Sequence, residues 1–340
     1  MNEQRYAEAM RRAIALAQRS PAFDENPRVG AVILNEAGNV MAEGWHQGVG
    51  TPHAEVDALN KLQAAGIAAT GYTAVVTLEP CNHTGHTGPC AQALIDAGIK
   101  RVVFASSDPG KVEGGGAERL RAAGVEVIEG LMADEYYPTL LPWLVNKFSE
   151  RPYVVVKYAA SIDGRTAASD GTSKWITGAE ARIDVHARRA EAQAIIAGTN
   201  TIEVDDPELT ARKTDGSLYE NQPLRVIVGE RELSPTLRVF NGDAQTLHLT
   251  TRDLHQVMAE LWSRGIRQAF VEGGAELESA LIQAKLADEF LIYQAPKLIG
   301  GSHTAIREIG VATIADAIEL QFVESVNLGN DILIRAVRKA

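Results

Sequence analysis

The feature that most constrains this chain is an alternation of apolar strand-like runs and helical segments that runs through the sequence twice. The first pass comprises RVGAVIL (28–34), the helical spacing of EVDALNKLQAAG (55–66), TAVVTLEP (73–80), the helix PCAQALIDAG (89–98), RVVFAS (101–106), the helix AERLRAAG (117–124) and VEVIEG (125–130). Gly38 marks a turn, and Gly66 and Gly98 stand where helices should stop. Around NKFSERP (146–152) the pattern restarts. YVVVKYAAS (153–161), AIIAG (194–198), LRVIVG (224–229), TLHLTT (246–251) and QAFVEGG (268–274) read as strands. GAEARIDVHARRAEA (178–192), LHQVMAELWSRG (254–265) and ELESALIQAKLA (276–287) read as helices, and DEFLIYQAPKLIG (288–300) and DILIRAVR (331–338) close the sheet. Such alternation predicts α/β layers. A chain of 340 residues exceeds one typical core, so two domains are expected, 1–147 and 148–340.

The opening MNEQRYAEAMRRAIALAQRS has no continuous apolar core and is not a signal peptide. Its apolar residues Tyr6, Ala9, Met10, Ala13, Ile14 and Ala17 recur at three- and four-residue steps, which predicts an amphipathic helix. No apolar run approaches the roughly 18 residues of a membrane span, so the expectation is a cytoplasmic protein without a membrane partner. A structural disulfide is not expected in that compartment. The net charge of −11 argues against a nucleic-acid partner, whose affinity would come from neutralised phosphates.

Chemistry concentrates first in PHAEVDAL (52–59) and LEPCNHTGHTGPC (78–90), which hold both cysteines of the chain. His53, Cys81 and Cys90 offer one imidazole and two thiolates, three ligands that leave a fourth tetrahedral position open, as in catalytic rather than structural zinc. Glu55, two residues past the histidine, can take a proton from an attacking water and hand it to a leaving amine. This is the H-x-E…P-C signature of zinc-dependent base deaminases, although eight residues separate the cysteines here instead of the usual two. The competing readings are a redox pair and inert buried cysteines.

At HAEVDAL and TLEPCNHTGHTGPC the chain resembles the deaminase half of the bifunctional riboflavin-biosynthesis enzymes. KYAASIDGRTA, GTSKWITGAEAR, DDPELTAR and FVEGGAELESALI resemble the reductase half of the same family. The resemblance covers essentially the whole chain, with the halves in the family's order. It implies an N-terminal cytidine-deaminase-like three-layer domain and a C-terminal dihydrofolate-reductase-like domain. It further implies hydrolytic removal of the 2-amino group of 2,5-diamino-6-ribosylamino-4(3H)-pyrimidinone 5′-phosphate at one Zn2+. NADPH would then reduce the ribosyl group of 5-amino-6-(5-phosphoribosylamino)uracil to ribityl. By the same resemblance Asn26 would hydrogen-bond the pyrimidine, and His46 and His83 would line its pocket. A homo-oligomer, dimer or tetramer, is expected. The chain departs from the family at His86-Thr87-Gly88-Pro89, where a basic residue and Thr-Pro-Pro are common, and at the shortened, glycine-rich DPGKVEGGG (108–116).

No G-x-G-x-x-G opens the second half, so a Rossmann domain is disfavoured. Gly273 and Gly274 instead stand between a strand and a helix, where backbone N–H groups can approach a cofactor phosphate. Lys157 and Asp205 could supply charge and proton transfer near the sugar carbon that accepts hydride, and Glu272 could hold a substrate hydroxyl or amine. Surface salt bridges are the alternative for each. The resemblance places Ser173, Arg189, Leu209 and Arg212 around the substrate, with arginine suited to phosphate by its planar fork. It places Ala159, Trp175, Thr201 and Asp205, with Gly273 and Gly274, on NADPH. The alternatives to this bifunctional reading are a deaminase of another nucleobase with an inactive or regulatory second domain, and an inactive fusion that serves as a binding module.

Overall fold

The computed structural model describes residues 2–83, 88–110 and 114–339. His86 and Thr87, where the chain leaves the family pattern, and 111–113 of the glycine-rich stretch lie outside the described residues. The chain divides into two compact units, Met1–Lys147 and Phe148–Ala340. Among the described residues no helix is long and apolar enough to cross a membrane.

The strands of the first unit are β1 (Gly30–Leu34), β2 (Val40–Trp45), β3 (Thr73–Leu78), β4 (Arg101–Ser106) and β5 (Glu126–Glu129), in the spatial order β2-β1-β3-β4-β5. β1 is antiparallel to β2 and β3, whereas β3, β4 and β5 are parallel. Its helices are α1 (Asn2–Ala17), α2 (Ala54–Ala64), α3 (Cys90–Asp96), α4 (Gly116–Ala122) and α5 (Ala133–Ser149). The predicted stripe of α1, from Tyr6 to Ala17, is buried at every position named above. Two glycines fix which face each helix covers. A Cβ on Gly30 would meet Ala13 O of α1 at 2.0 Å, and a Cβ on Gly44 would meet Ala54 O of α2 at 2.0 Å. Gly44 pairs with Ala31, the neighbour of Gly30. Successive strand residues face opposite ways, so α1 and α2 lie on opposite faces, and the unit has three layers.

Four elements, two helices and two strands, escape the sequence pattern. β2 is short and half-exposed. α5 carries Pro138 and Pro142 in its interior, residues that cost a helix both a hydrogen bond and steric room. Burial of Tyr136, Leu140, Leu141, Trp143 and Val145 offsets that cost. Tyr136 Oη donates to Arg28 O (2.7 Å) and Trp143 Nε1 to Glu25 O (3.0 Å), tying α5 to the segment ahead of β1. The other two, in the second unit, are the short helix Thr199–Asp205 and an edge strand none of whose residues is buried.

That unit contains β6 (Tyr153–Ser161), β7 (Ala194–Gly198), β8 (Leu224–Val228), β9 (Thr246–Leu249), β10 (Gln268–Val271), β11 (Glu289–Ala295), β12 (Leu320–Leu328) and β13 (Asp331–Arg338). They form one sheet ordered β12-β13-β11-β6-β10-β7-β8-β9, parallel from β11 to β9 and antiparallel at β12 and β13. The helices are α6 (Ala179–Glu191), α7 (Thr199–Asp205), α8 (Leu254–Ser263) and α9 (Ala275–Gln283). One apolar layer joins Val154, Val156, Ile196 and Val226 of the sheet to Val257, Leu261 and Leu281 of the helices. Parallel strands end together, so the C-terminal ends of β6, β7 and β10 share one edge, where α/β sheets hold their ligands. The edge strand not anticipated is β12, whose residues are mostly exposed.

Candidate active sites

The first site is built where chain segments leave β3 and enter helices. His53 is the residue just ahead of α2, Glu55 lies in its first turn, and Cys90 is the first residue of α3. His53 Nδ1 stands 3.6 Å from Cys81 Sγ and 3.3 Å from Cys90 Sγ, and the three ligand atoms lie within 4.8 Å of one another. Tetrahedral zinc with bonds of about 2.0 Å to nitrogen and about 2.3 Å to sulfur sets nitrogen–sulfur edges of about 3.6 Å. The donor set therefore fits the ion in both chemistry and spacing. Both cysteines are free thiols rather than a disulfide.

Electrostatics in this cluster are those of a site shaped for a cation. Hydrogen bonding from Cys90, then from His53, lowers the Cys81 thiol to about 4 against the cost of burial, whereas its bond to Cys81 and its own burial push the Cys90 thiol up. The bond to Cys81 raises His53. Glu55 is 4% exposed. Burial, reinforced by the charge of Cys81, pushes its carboxyl up to about 7, the range suited to taking and returning a proton. Asn26 Nδ2 donates to His46 Nε2 at 3.3 Å, and the His46 ring meets that of His53 edge-on with centroids 5.8 Å apart. Burial lowers the pKa of His46, so a neutral ring accepts from Asn26. His83 Nδ1 is buried without a hydrogen-bond partner among the described residues. Asn26, His46, His53, Glu55, Cys81 and His83 all line one cavity of about 110 Å³.

Glu79, Trp143 and Lys147 also line that cavity, and sequence reasoning did not single them out. Glu79 has a positioning task. Its carboxylate accepts from Asp108 N (3.1 Å) and Ala117 N (2.9 Å), so the segment leading into α4 is pinned beside Pro80 and Cys81. Gly116 completes the join, because a Cβ there would lie 1.8 Å from Pro80 O. Gly116, the last glycine of the 108–116 stretch, thus serves a close backbone approach next to Cys81.

The second site is a cleft of about 450 Å³ at the shared strand edge of the second unit. Lys157, Ala159, Ser173, Trp175, Arg189, Thr201, Asp205, Leu209, Arg212, Glu272, Gly273 and Gly274 all line it. Lys157 and Ala159 come from β6, Thr201 and Asp205 from α7 after β7, and Glu272 to Gly274 from the turn between β10 and α9. Leu209 is buried with a left-handed backbone (φ 51°), a strained state for a branched residue.

Glu272 sits between two cations. Its carboxylate accepts from Lys157 Nζ at 3.2 Å and takes both Nε (2.5 Å) and Nη2 (2.9 Å) of Arg189. Burial opposes its charge, but Arg189 and Lys157 outweigh burial and hold its pKa at about 2. Arg189 gives its remaining Nη1 to Thr210 O at 3.0 Å. Three of its five N–H groups are therefore engaged by Glu272 and Thr210. The triad is also buried, unlike a surface salt bridge. Arg188 beside it is bound to Asp184 at 2.7 Å. The Arg212 side chain pairs with Glu208, and its backbone N–H donates to His186 Nδ1 at 3.2 Å. Trp175 is 64% exposed and has Arg182 over its ring at 4.6 Å, so it is a platform at the cleft and not core. Tyr158, His186, Glu278 and Tyr293 line the cleft as well; Tyr158 and Glu278 stand in the family-like stretches KYAASIDGRTA and FVEGGAELESALI, but sequence reasoning singled out none of the four.

Comparison with known proteins assigns each unit. The family model described as the cytidine and deoxycytidylate deaminase zinc-binding region matches residues 3–106. The model described as the RibD C-terminal domain matches 152–334. The riboflavin biosynthesis protein RibD of Mycobacterium tuberculosis is 45% identical over 314 residues, which cover 92% of this chain and 91% of that one. RibD of Escherichia coli K12 is 38% identical, covering 96% of this chain and 98% of its own. The crystal structure of a diaminohydroxyphosphoribosylaminopyrimidine deaminase/5-amino-6-(5-phosphoribosylamino)uracil reductase from Thermotoga maritima covers both chains fully at 31% identity, with a TM-score of 0.78. With a deaminase half and a reductase half in the same order and identity extending over nearly the full length of both chains, this chain belongs to the RibD family of bifunctional deaminase/reductases of riboflavin biosynthesis.

Proposed function

We propose that residues 1–147 remove the 2-amino group of 2,5-diamino-6-ribosylamino-4(3H)-pyrimidinone 5′-phosphate, and that 148–340 reduce the ribosyl group of the resulting uracil to ribityl with NADPH. The observation that carries the first half is Glu55 buried against a His53, Cys81 and Cys90 donor set. When bound, zinc supplies Lewis acidity that makes water a nucleophile near neutral pH. Glu55 takes the proton of the attacking water and returns it to the departing ammonia. Asn26, oriented by His46, holds the pyrimidine edge, and His83 closes the pocket wall.

In the second half Glu272 holds Lys157 and Arg189 on one carboxylate, so Lys157 stands at a set position beside the sugar carbon that receives hydride. Asp205 faces the same cleft and supplies proton transfer. Ser173, Leu209 and Arg212 surround the substrate. Ala159, Trp175 and Thr201 contact NADPH, and Gly273 and Gly274 give its phosphates backbone N–H groups at the start of α9. A complete cleft in the second unit argues against a purely regulatory role. The exposed edge strand β12, with Phe322 77% exposed, supports assembly as a homo-oligomer. Thiol ligands that must stay reduced suit the cytoplasm. Metal analysis tests the deaminase half: about one zinc per chain is expected, with deamination lost on chelation and restored by zinc. Metal-free protein that deaminates at full rate would contradict it.

A further inference from the structure

One acid of the reductase cleft has no part in the chemistry described above. Glu278, in the first turn of α9, is 2% exposed yet lines the cleft. Its carboxyl makes no hydrogen bond to a described residue. Buried polar groups almost always have a partner, and one without it calls for an explanation. Here the open side is a ligand cleft.

The groups facing Glu278 explain its state. Lys157 and Tyr158 approach from β6 and Glu272 from the turn after β10, with Arg189 of α6 behind Glu272. On its own helix Glu276 turns away to Arg307 at 2.7 Å. Burial disfavours the charge of Glu278 most strongly. Lys157 favours that charge, but Glu272 already holds Lys157 at 3.2 Å and itself repels a second carboxylate. The result is a carboxyl pushed up to about 8, mostly protonated at neutral pH, in contrast to Glu272 at about 2.

A protonated carboxyl offers one donor and one acceptor side by side, whereas a carboxylate only accepts. An amide presents the matching pair, a carbonyl acceptor beside an N–H donor. We propose that Glu278 is a further ligand-binding residue of the reductase cleft, its O–H donating to an amide carbonyl of the bound ligand and its carbonyl accepting the amide N–H. Two ligands of the proposed reaction carry such a group: the carboxamide of NADPH and the ring lactam of the pyrimidine. The inference rests on the reading of this cleft as the reductase site.

Dissociation constants measured from about pH 6 to 10 test it with three probes: NADPH, 2′-phospho-ADP-ribose, which lacks nicotinamide, and the ribityl pyrimidine product. Wild-type protein should lose about tenfold in affinity per pH unit above about pH 8 for the probe whose amide meets Glu278. Glu278→Gln keeps a donor and an acceptor but cannot ionise, and should remove that limb. Glu278→Ala should bind the same probe about tenfold more weakly at neutral pH. A limb for NADPH but not 2′-phospho-ADP-ribose assigns the carboxamide, and a limb for the pyrimidine alone assigns the lactam. Flat wild-type affinities for both ligands, or an identical limb in Glu278→Gln, overturn the inference. So does a 13C carboxyl resonance, identified by its loss in Glu278→Gln, that titrates below about pH 6. Wild-type protein that binds neither NADPH nor the pyrimidine overturns the reductase reading of the cleft itself.

Discussion

His53 Nδ1 lies 3.3 Å from Cys90 Sγ although the two residues are 37 positions apart in the chain. Two helix starts on neighbouring segments bring them together, His53 ahead of α2 and Cys90 at the head of α3. Two of the three proposed metal ligands are thus placed by helix starts, and Glu55, the proposed proton-transfer group, is carried on the same turn as the histidine.

Glu55→Gln keeps the size of the side chain and removes its proton-accepting charge. Deamination is expected to fall by about 10²- to 10⁴-fold, while zinc content and reduction of already deaminated substrate remain near wild type. Loss of both activities in a folded protein would show that the two sites are not separable.

Gly116→Ala would place a Cβ 1.8 Å from Pro80 O, a backbone atom that cannot step aside without moving Cys81. The expected cost is about 1–3 kcal/mol of stability. Zinc affinity, measured by competition with a chelator, should drop while NADPH binding does not. Unchanged melting and zinc affinity would mean that the 114–117 backbone does not support Cys81.

Glu272→Gln leaves Arg189 and Lys157 buried beside a neutral amide. Removing one partner of a buried ionic cluster costs about 3–5 kcal/mol, so a lower melting temperature and loss of reduction are expected, with deamination retained. The pH dependence follows from the depressed pKa of Glu272. Its contribution to stability is fully present above its ordinary value of 4.5 and is lost as pH falls from there through about 2. Acid titration of wild-type and variant melting temperatures should therefore converge over that range; parallel curves would contradict it.

Much of this was legible in the sequence because it is local. The alternation of strands and helices marked both sheets, and the buried face of α1 followed from the spacing of Tyr6 to Ala17. His53, Glu55, Cys81 and Cys90 stand in short motifs at element ends. What stayed hidden depends on distant partners. α5 holds two internal prolines and is stabilised by burial and by bonds from Tyr136 and Trp143 to the segment before β1. The bidentate pairing of Arg189 with Glu272, 83 residues away, has no local signal. The edge strand β12 buries none of its residues, and Glu278 resembles any helical glutamate until its burial is known.

The most direct test supplies the diaminopyrimidine phosphate with and without NADPH and follows ammonia release and NADPH oxidation separately. The account predicts one ammonia per substrate in either case, and an equal amount of NADPH oxidised only after ammonia appears. Oxidation of NADPH without prior ammonia release, or ammonia release that never leads to oxidation, would contradict it.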